Sequence, residues 1–174
     1  MKIKPKELQK RHIFLLSLLS QGRLFIRIKL SFIQLNDFEL LEKIPDYGTL
    51  LRITCRARFM TSKGFTEARH AIIDTGAHSS ILPLNLWKRI EVNLLGEHYV
   101  RGLVPKEECF MNVKVGAVKV RLVDDEGDQT DNFSVRTFLA PVDAVPVIIG
   151  FKDLLEWFIV HFDPVEKIGY IEGK

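Results

Sequence analysis

From Leu50 onward, turn residues cut the chain into short stretches in which apolar and polar side chains alternate. Alternation with a period of two buries one face of a strand, and the frequent Gly, Pro and Asp leave little room for a helical core. Leu51, Ile53 and Cys55 alternate with Arg52, Thr54 and Arg56. Thr61-Ser62-Lys63-Gly64 then predicts a hairpin turn, with a returning strand over residues 65–73. Residues 97–109 read as a ribbon with a Gly/Pro tip. Residues 111–115 and 118–123 alternate around Gly116, and Phe133–Leu139 follows an acidic loop at 124–132. Residues 145–149 form a continuous apolar strand ending at Gly150, and 160–163 and 168–171 close the chain as a hairpin around Pro164. Helical signals are few. Residues 84–90 fit a short helix, and Phe151, Leu154, Leu155 and Phe158 recur at helical spacing over 151–159. The pattern predicts an all-β fold, a small barrel or sandwich with one short C-terminal helix.

Upstream, residues 24–32 also alternate, with Leu24, Ile26, Ile28, Leu30 and Phe32 on one side, whereas 36–48 collect Asp37, Pro45, Asp46 and Gly48 and read as a boundary. Charge divides at the same place. Residues 1–45 carry nine Lys and Arg against four Asp and Glu, and the remainder carries sixteen against eighteen. The net charge of +3 therefore comes from a basic N-terminal extension, 1–45, and not from a second domain, 46–174. No basic face with interleaved aromatics accompanies it, so nucleic acid is not an expected partner.

Two cysteines, Cys55 and Cys109, make no disulfide framework and read as reduced thiols. The five histidines lack metal-ligand spacing, and the acids at 124, 125, 126, 128 and 131 lack the alternation of a calcium loop. A solvated turn is expected there, and no metal or cofactor is called for. Trp87 and Trp157 are expected to pack in the core or against the C-terminal helix. No stretch reaches the ~18 apolar residues of a membrane helix. The apolar residues 13–19 follow a basic stretch but are followed by Arg23 instead of a small-residue cleavage site. A cytoplasmic location is expected, without a membrane partner.

The residues that bear chemistry are Ala71-Ile72-Ile73-Asp74-Thr75-Gly76-Ala77. An apolar run places Asp74 where a strand ends and a turn of small residues opens. A charge at such a place is costly unless it is used. Hydrolysis of a peptide bond by carboxylates alone needs two of them around one water: an ionised one to take its proton and a protonated one to polarise the carbonyl. No second Asp-Thr-Gly or Asp-Ser-Gly exists in the chain. The second carboxylate must then be Asp74 of another copy, brought in by a two-fold axis.

Asp74-Thr75-Gly76-Ala77 after an apolar run, a glycine-containing hairpin at 99–106, and Ile148-Ile149-Gly150 before a helical segment occur in that order. On these residues the chain, over about residues 50–172, resembles the retropepsins, the retroviral-type aspartic proteases with cellular and prokaryotic relatives. The resemblance implies a small closed acid-protease barrel with a flap hairpin, and an obligate homodimer acting as an aspartic endopeptidase on peptide or protein substrates. Asp74 would be catalytic and Thr75 and Gly76 would support the loop. Ala77 and His78, with Gly102 and Leu103 from the flap, would meet the substrate. From the residues alone, His78 reads more readily as an ordinary loop histidine. Two departures stand out. His78 and Phe151 occupy positions where retroviral enzymes often carry an acid and an arginine of one ion-pair network. A module of this fold that binds peptides or dimerises without turnover is the alternative expectation.

Overall fold

The structure, a computed structural model, describes residues 27–101 and 110–174. It is mostly strand, as expected for an all-β chain. The elements are β1 (Arg27–Lys29), β2 (Ser31–Asn36), α1 (Phe38–Lys43), β3 (Thr49–Thr61), β4 (Gly64–Phe65), β5 (Arg69–Ile73), β6 (Ser80–Leu82), α2 (Leu84–Trp87), β7 (Asn93–Arg101), β8 (Phe110–Val123), β9 (Phe133–Leu139), β10 (Ile148–Ile149), β11 (Phe158–Asp163) and β12 (Ile168–Gly173). Short 3-10 turns occupy Pro45–Tyr47 and Leu155–Trp157. Among the described residues no helix is long and apolar enough to cross a membrane.

The main sheet runs β2-β3-β5-β10-β6-β9-β8-β7, and an additional β3–β8 pairing closes it into a ring. Closure depends on the length of β3. Its first residues pair with β2, from Asn36↔Thr49 to Ser31↔Thr54. Its later residues pair with β8, from Arg56↔Val123 to Phe59↔Val120, while Thr54–Ala57 pair with β5. One edge of β3 thus serves β2 first and β8 next. The inward-facing Cys55, Ala57 and Phe59, with Val118, Val120, Leu122, Val135 and Ile149, make the core that this ring encloses.

A three-stranded sheet, β1-β12-β11, packs beside the ring. Ile28 and Ile171, opposite one another across β1 and β12, are fully buried in the same core cluster as the ring residues. Part of the basic extension, Arg27–Asn36, is therefore woven into both sheets. The alternation expected over 24–32 is cut in two, because Leu30 leaves the strand and donates its N–H to Gly169 O at 2.9 Å. Residues 24–26 fall outside the described residues.

Several elements differ from expectation in extent. The alternating stretches around Gly116 are one strand, and Gly116 is where Val92 and Leu139 close in: an added Cβ would lie 2.6 Å from Val92 Cγ1. The strand expected at 145–149 shortens to Ile148–Ile149. The helix expected over 151–159 reduces to the 3-10 turn Leu155–Trp157, and Phe158 already begins β11. Asp153 interrupts it with a left-handed φ of 65°, a conformation that an L-residue helix excludes. Leu154, Leu155 and Phe158 are buried as their spacing implied, but a tight turn entering a strand produces the same short spacing. Trp157 stands 56% exposed, against expectation. Trp87 does pack on the core, its indole N–H donating to Ala140 O at 2.8 Å.

Candidate active site

β5 and β6 flank the segment that carries Asp74, and β10 is threaded between them, parallel to β5 and antiparallel to β6. Ile72 N donates to Val147 O (2.9 Å) and Asp74 N to Ile149 O (3.0 Å), which fixes where the strand ends and the loop begins. The apolar Ile72, Ile73, Ile148 and Ile149 suit a site where strands are covered on both sides. The loop arches over the end of β10, and Gly150 lies directly beneath it. A Cβ on Gly150 would lie 2.5 Å from Ser79 C and 2.6 Å from Ser79 O. Only glycine permits this approach, which gives Ile148-Ile149-Gly150 a physical reason. Ser80, fully enclosed at the start of β6, accepts the Gly150 N–H on its hydroxyl oxygen at 3.0 Å.

Asp74 is half-buried. Its Oδ1 accepts N–H bonds from Gly76 (2.9 Å) and Ala77 (3.0 Å), an Asx-type turn. The other oxygen, Oδ2, has no hydrogen-bond partner among the described residues. One oxygen thus anchors the loop and the other remains available. Gly76 sits tightly against the carboxylate, where an added Cβ would be 3.3 Å from Oδ1. Thr75 is exposed and its hydroxyl is unpaired among the described residues. The downstream half of the loop is held by its carbonyls: Phe151 N donates to Ala77 O and Lys152 N to His78 O, each at 2.8 Å. The His78 side chain is exposed, as is Phe151 at 47%.

The two positions where an acid–arginine network was missing are thus each bonded to the other's chain neighbour, Phe151 N to Ala77 O and His78 O to Lys152 N. A different ion pair stands close by. Asp153 accepts from Arg136 Nε (2.6 Å) and Nη2 (2.7 Å), two prongs on one carboxylate, and from Arg136 N (3.1 Å). The bonds from the Arg136 guanidinium hold the Asp153 carboxyl below its ordinary range, against a smaller upward push from burial.

β7 and β8 pair from Asn93↔Ala117 to Arg101↔Phe110 with a bulge between Leu94 and Gly96, and the flap hairpin expected at 99–106 falls largely between them. Its tip, including Gly102 and Leu103, lies outside the described residues. Asp74, Thr75, Gly76, Ala77 and His78 come together in one loop. A groove lined by Leu84, Trp87, Glu97, Val113 and Leu139 contains none of them.

The acidic loop is exposed at Asp125, Glu126, Asp128 and Asp131, as a solvated turn would be, but not at Asp124. Asp124 is 4% exposed. Its Oδ1 accepts from Glu126 N and Asp128 N, both at 2.9 Å, and its Oδ2 from Lys29 N at 3.3 Å. It fills the place where the β3 edge passes from β8 to β2. Asp124, Glu126 and Asp128 bring carboxylate oxygens within 4.8 Å of one another, and those of Asp124 are taken by backbone N–H groups. Cys55 is a free, buried thiol, which burial pushes up to about 12; Cys109 lies outside the described residues. Sequence spacing gave no signal for Ser80, Arg136, Asp153 or the burial of Asp124. No protein-family model matches the chain, and no curated protein matches it.

Proposed function

We propose that this chain is an aspartic-type endopeptidase of the retropepsin-like kind, active as a homodimer in which two Asp74 carboxylates share one water. The observation that carries the reading is the loop itself. Asp74 is locked by Gly76 and Ala77 through Oδ1 and, among the described residues, is free at Oδ2, above a β10–Gly150 segment that only glycine lets approach. A rigid carboxylate with one open oxygen is what proton transfer to and from a water needs. The order of Asp-Thr-Gly-Ala, hairpin and Ile-Ile-Gly adds to this.

In the reaction, one Asp74 is ionised and the other protonated, because two carboxyls in contact do not both ionise. The ionised carboxylate takes a proton from the water, whose oxygen attacks the peptide carbonyl carbon. The protonated carboxyl hydrogen-bonds the carbonyl oxygen and transfers its proton as the tetrahedral intermediate forms. Proton delivery to the amide nitrogen then breaks the C–N bond, giving a carboxylic acid and an amine. The pair, not either residue, carries the apparent pKa values. Substrate is an extended peptide lying between the Asp74 loop and the β7–β8 hairpin, with no metal or cofactor in any step.

The test is a mixing experiment on a peptide library. Wild-type chain is expected to lose specific activity on dilution, because the monomer holds half a site. Added Asp74→Asn chain is expected to depress wild-type activity by forming mixed dimers. Full activity in a dilute monomer, or cleavage by the Asn variant at the wild-type rate, would sink the proposal.

A further inference from the structure

We infer that Arg136 and Asp153 form a clamp that positions the Asp74 loop, acting through the turn whose backbone N–H groups hold the loop's carbonyls; the inference rests on Asp74 being the reactive carboxylate. The turn after β10 has two attachments to the loop, Phe151 N to Ala77 O and Lys152 N to His78 O. Burial anchors the turn only at its far end, at Leu154 and Leu155. Phe151 is exposed, and the first fully buried side chain is Leu154. Asp153 takes the left-handed conformation at φ 65°, which Asp and Asn adopt more readily than other residues with a Cβ and which here aims the carboxylate at its surroundings. The surroundings here are three donors from one residue, Arg136 N, Nε and Nη2, converging on the Asp153 carboxylate.

Exposed ion pairs generally hold little. This one differs because the Asp153 side chain is only 14% exposed and the arginine presents a planar two-pronged fork. Bonds within the turn complete the brace. Glu156 accepts from Asp153 N at 2.9 Å and from Lys152 Nζ, and Glu156 N donates to Phe151 O at 2.9 Å.

Arg136 also lies on the strand that sets the exit of the loop. It precedes Thr137, which pairs with Ser80 at the start of β6. Ser80 in turn receives Gly150 N–H. The clamp therefore joins β9 to the turn after β10, and both elements grip the loop, one at Ser80 and the other at Ala77 and His78. Arg136 and Asp153 are positioning residues. Neither touches the open oxygen of Asp74.

The test compares Arg136→Gln, Asp153→Asn and the double variant by site-resolved amide hydrogen exchange and by steady-state kinetics. Asn accepts the left-handed conformation and keeps the backbone path while losing the charge. Each single variant is expected to speed exchange at the Phe151 and Lys152 amides about tenfold, and to lower kcat about tenfold with KM within about twofold. The double variant is expected to be no worse than either single, because one interaction is lost in all of them. Arg136→Lys keeps the charge without the fork and is expected to fall between wild type and Arg136→Gln. Unchanged exchange at both amides, additive losses in the double variant, or wild-type behaviour of Arg136→Lys would each overturn the clamp. Exchange needs no cleavage, so a chain that hydrolyses nothing would remove the functional reading while the exchange rates still decide the clamp.

Discussion

Asp74 and Asp124 begin the same way and end differently. Each follows a strand, and each accepts on Oδ1 from two backbone N–H groups a few residues downstream. At Asp124 the second oxygen is consumed by Lys29 N, and the residue is buried where β8 hands the edge of β3 to β2. At Asp74, at the end of β5, the second oxygen has no partner among the described residues. One carboxylate is engaged at both oxygens and the other at one. Turn chemistry alone does not distinguish them; the fate of the second oxygen does.

The largest effect that tests this contrast is on turnover. Asp74→Asn is expected to reduce cleavage by roughly 10³-fold or more, since the variant removes a proton acceptor used only in the reaction. Asp124→Asn, assayed under conditions where it remains folded, is expected to keep kcat within about twofold of wild type. A comparable loss of kcat in both variants would erase the distinction.

Next in size is the support beneath the Asp74 loop. Gly150→Ala places a methyl 2.5 Å from Ser79 C and 2.8 Å from Ser80 N. The contact is with one backbone peptide, Ser79–Ser80, which cannot rotate away as a side chain would, so a destabilisation of about 3 kcal/mol is expected, at the upper end of ordinary overpacking. Chemical denaturation measures it. Gly127, at φ 95° with nothing within 4 Å of its missing Cβ, gives the matching control in the Asp124 loop: Gly127→Ala there costs backbone strain alone, about 1 kcal/mol. Equal losses at the two glycines would show that close approach is not what Gly150 provides.

The sequence made the Asp74 side of this comparison legible and the Asp124 side not. An apolar strand, a small-residue turn and a later Ile-Ile-Gly are local patterns, and local patterns survive in a single sequence. Asp124 owes its burial to Lys29 N, ninety-five residues away in the chain, and no spacing rule reports that. Arg136 and Asp153 escaped notice for the same reason. Their pairing is made by β9 passing the turn after β10, and the positive φ of Asp153 that breaks the expected helix carries no residue signature, because Asp is ordinary in helices and turns alike. Ile28 shows the converse case. Its alternation with Arg27 and Lys29 was visible, but that it packs in the ring's core depends on β12.

A smaller effect sharpens the contrast in stability. In Asp124→Asn the side-chain oxygen still accepts from Glu126 N and Asp128 N, but the amide nitrogen that replaces Oδ2 has no lone pair for Lys29 N. One part-buried donor loses its partner, and a cost of about 1 kcal/mol is expected in urea denaturation. Removing residues 1–36 should cost more than this, because β1 and β2 leave together with the buried Ile28.

The smallest effect is expected at Asp74. In Asp74→Asn the side-chain oxygen again accepts from Gly76 N and Ala77 N, and no donor in the described chain loses its partner, since none addresses Oδ2. The stability of the variant should therefore lie within about 0.5 kcal/mol of wild type at the same protein concentration. The comparison with Asp124→Asn is what gives this small number its force. Identical chemistry, acid to amide, is applied to two carboxylates that share one turn geometry, and only the second oxygen differs in its surroundings. A loss at Asp74 as large as that at Asp124 would mean that Oδ2 is already engaged within the folded chain, and the carboxylate would then be structural at both places.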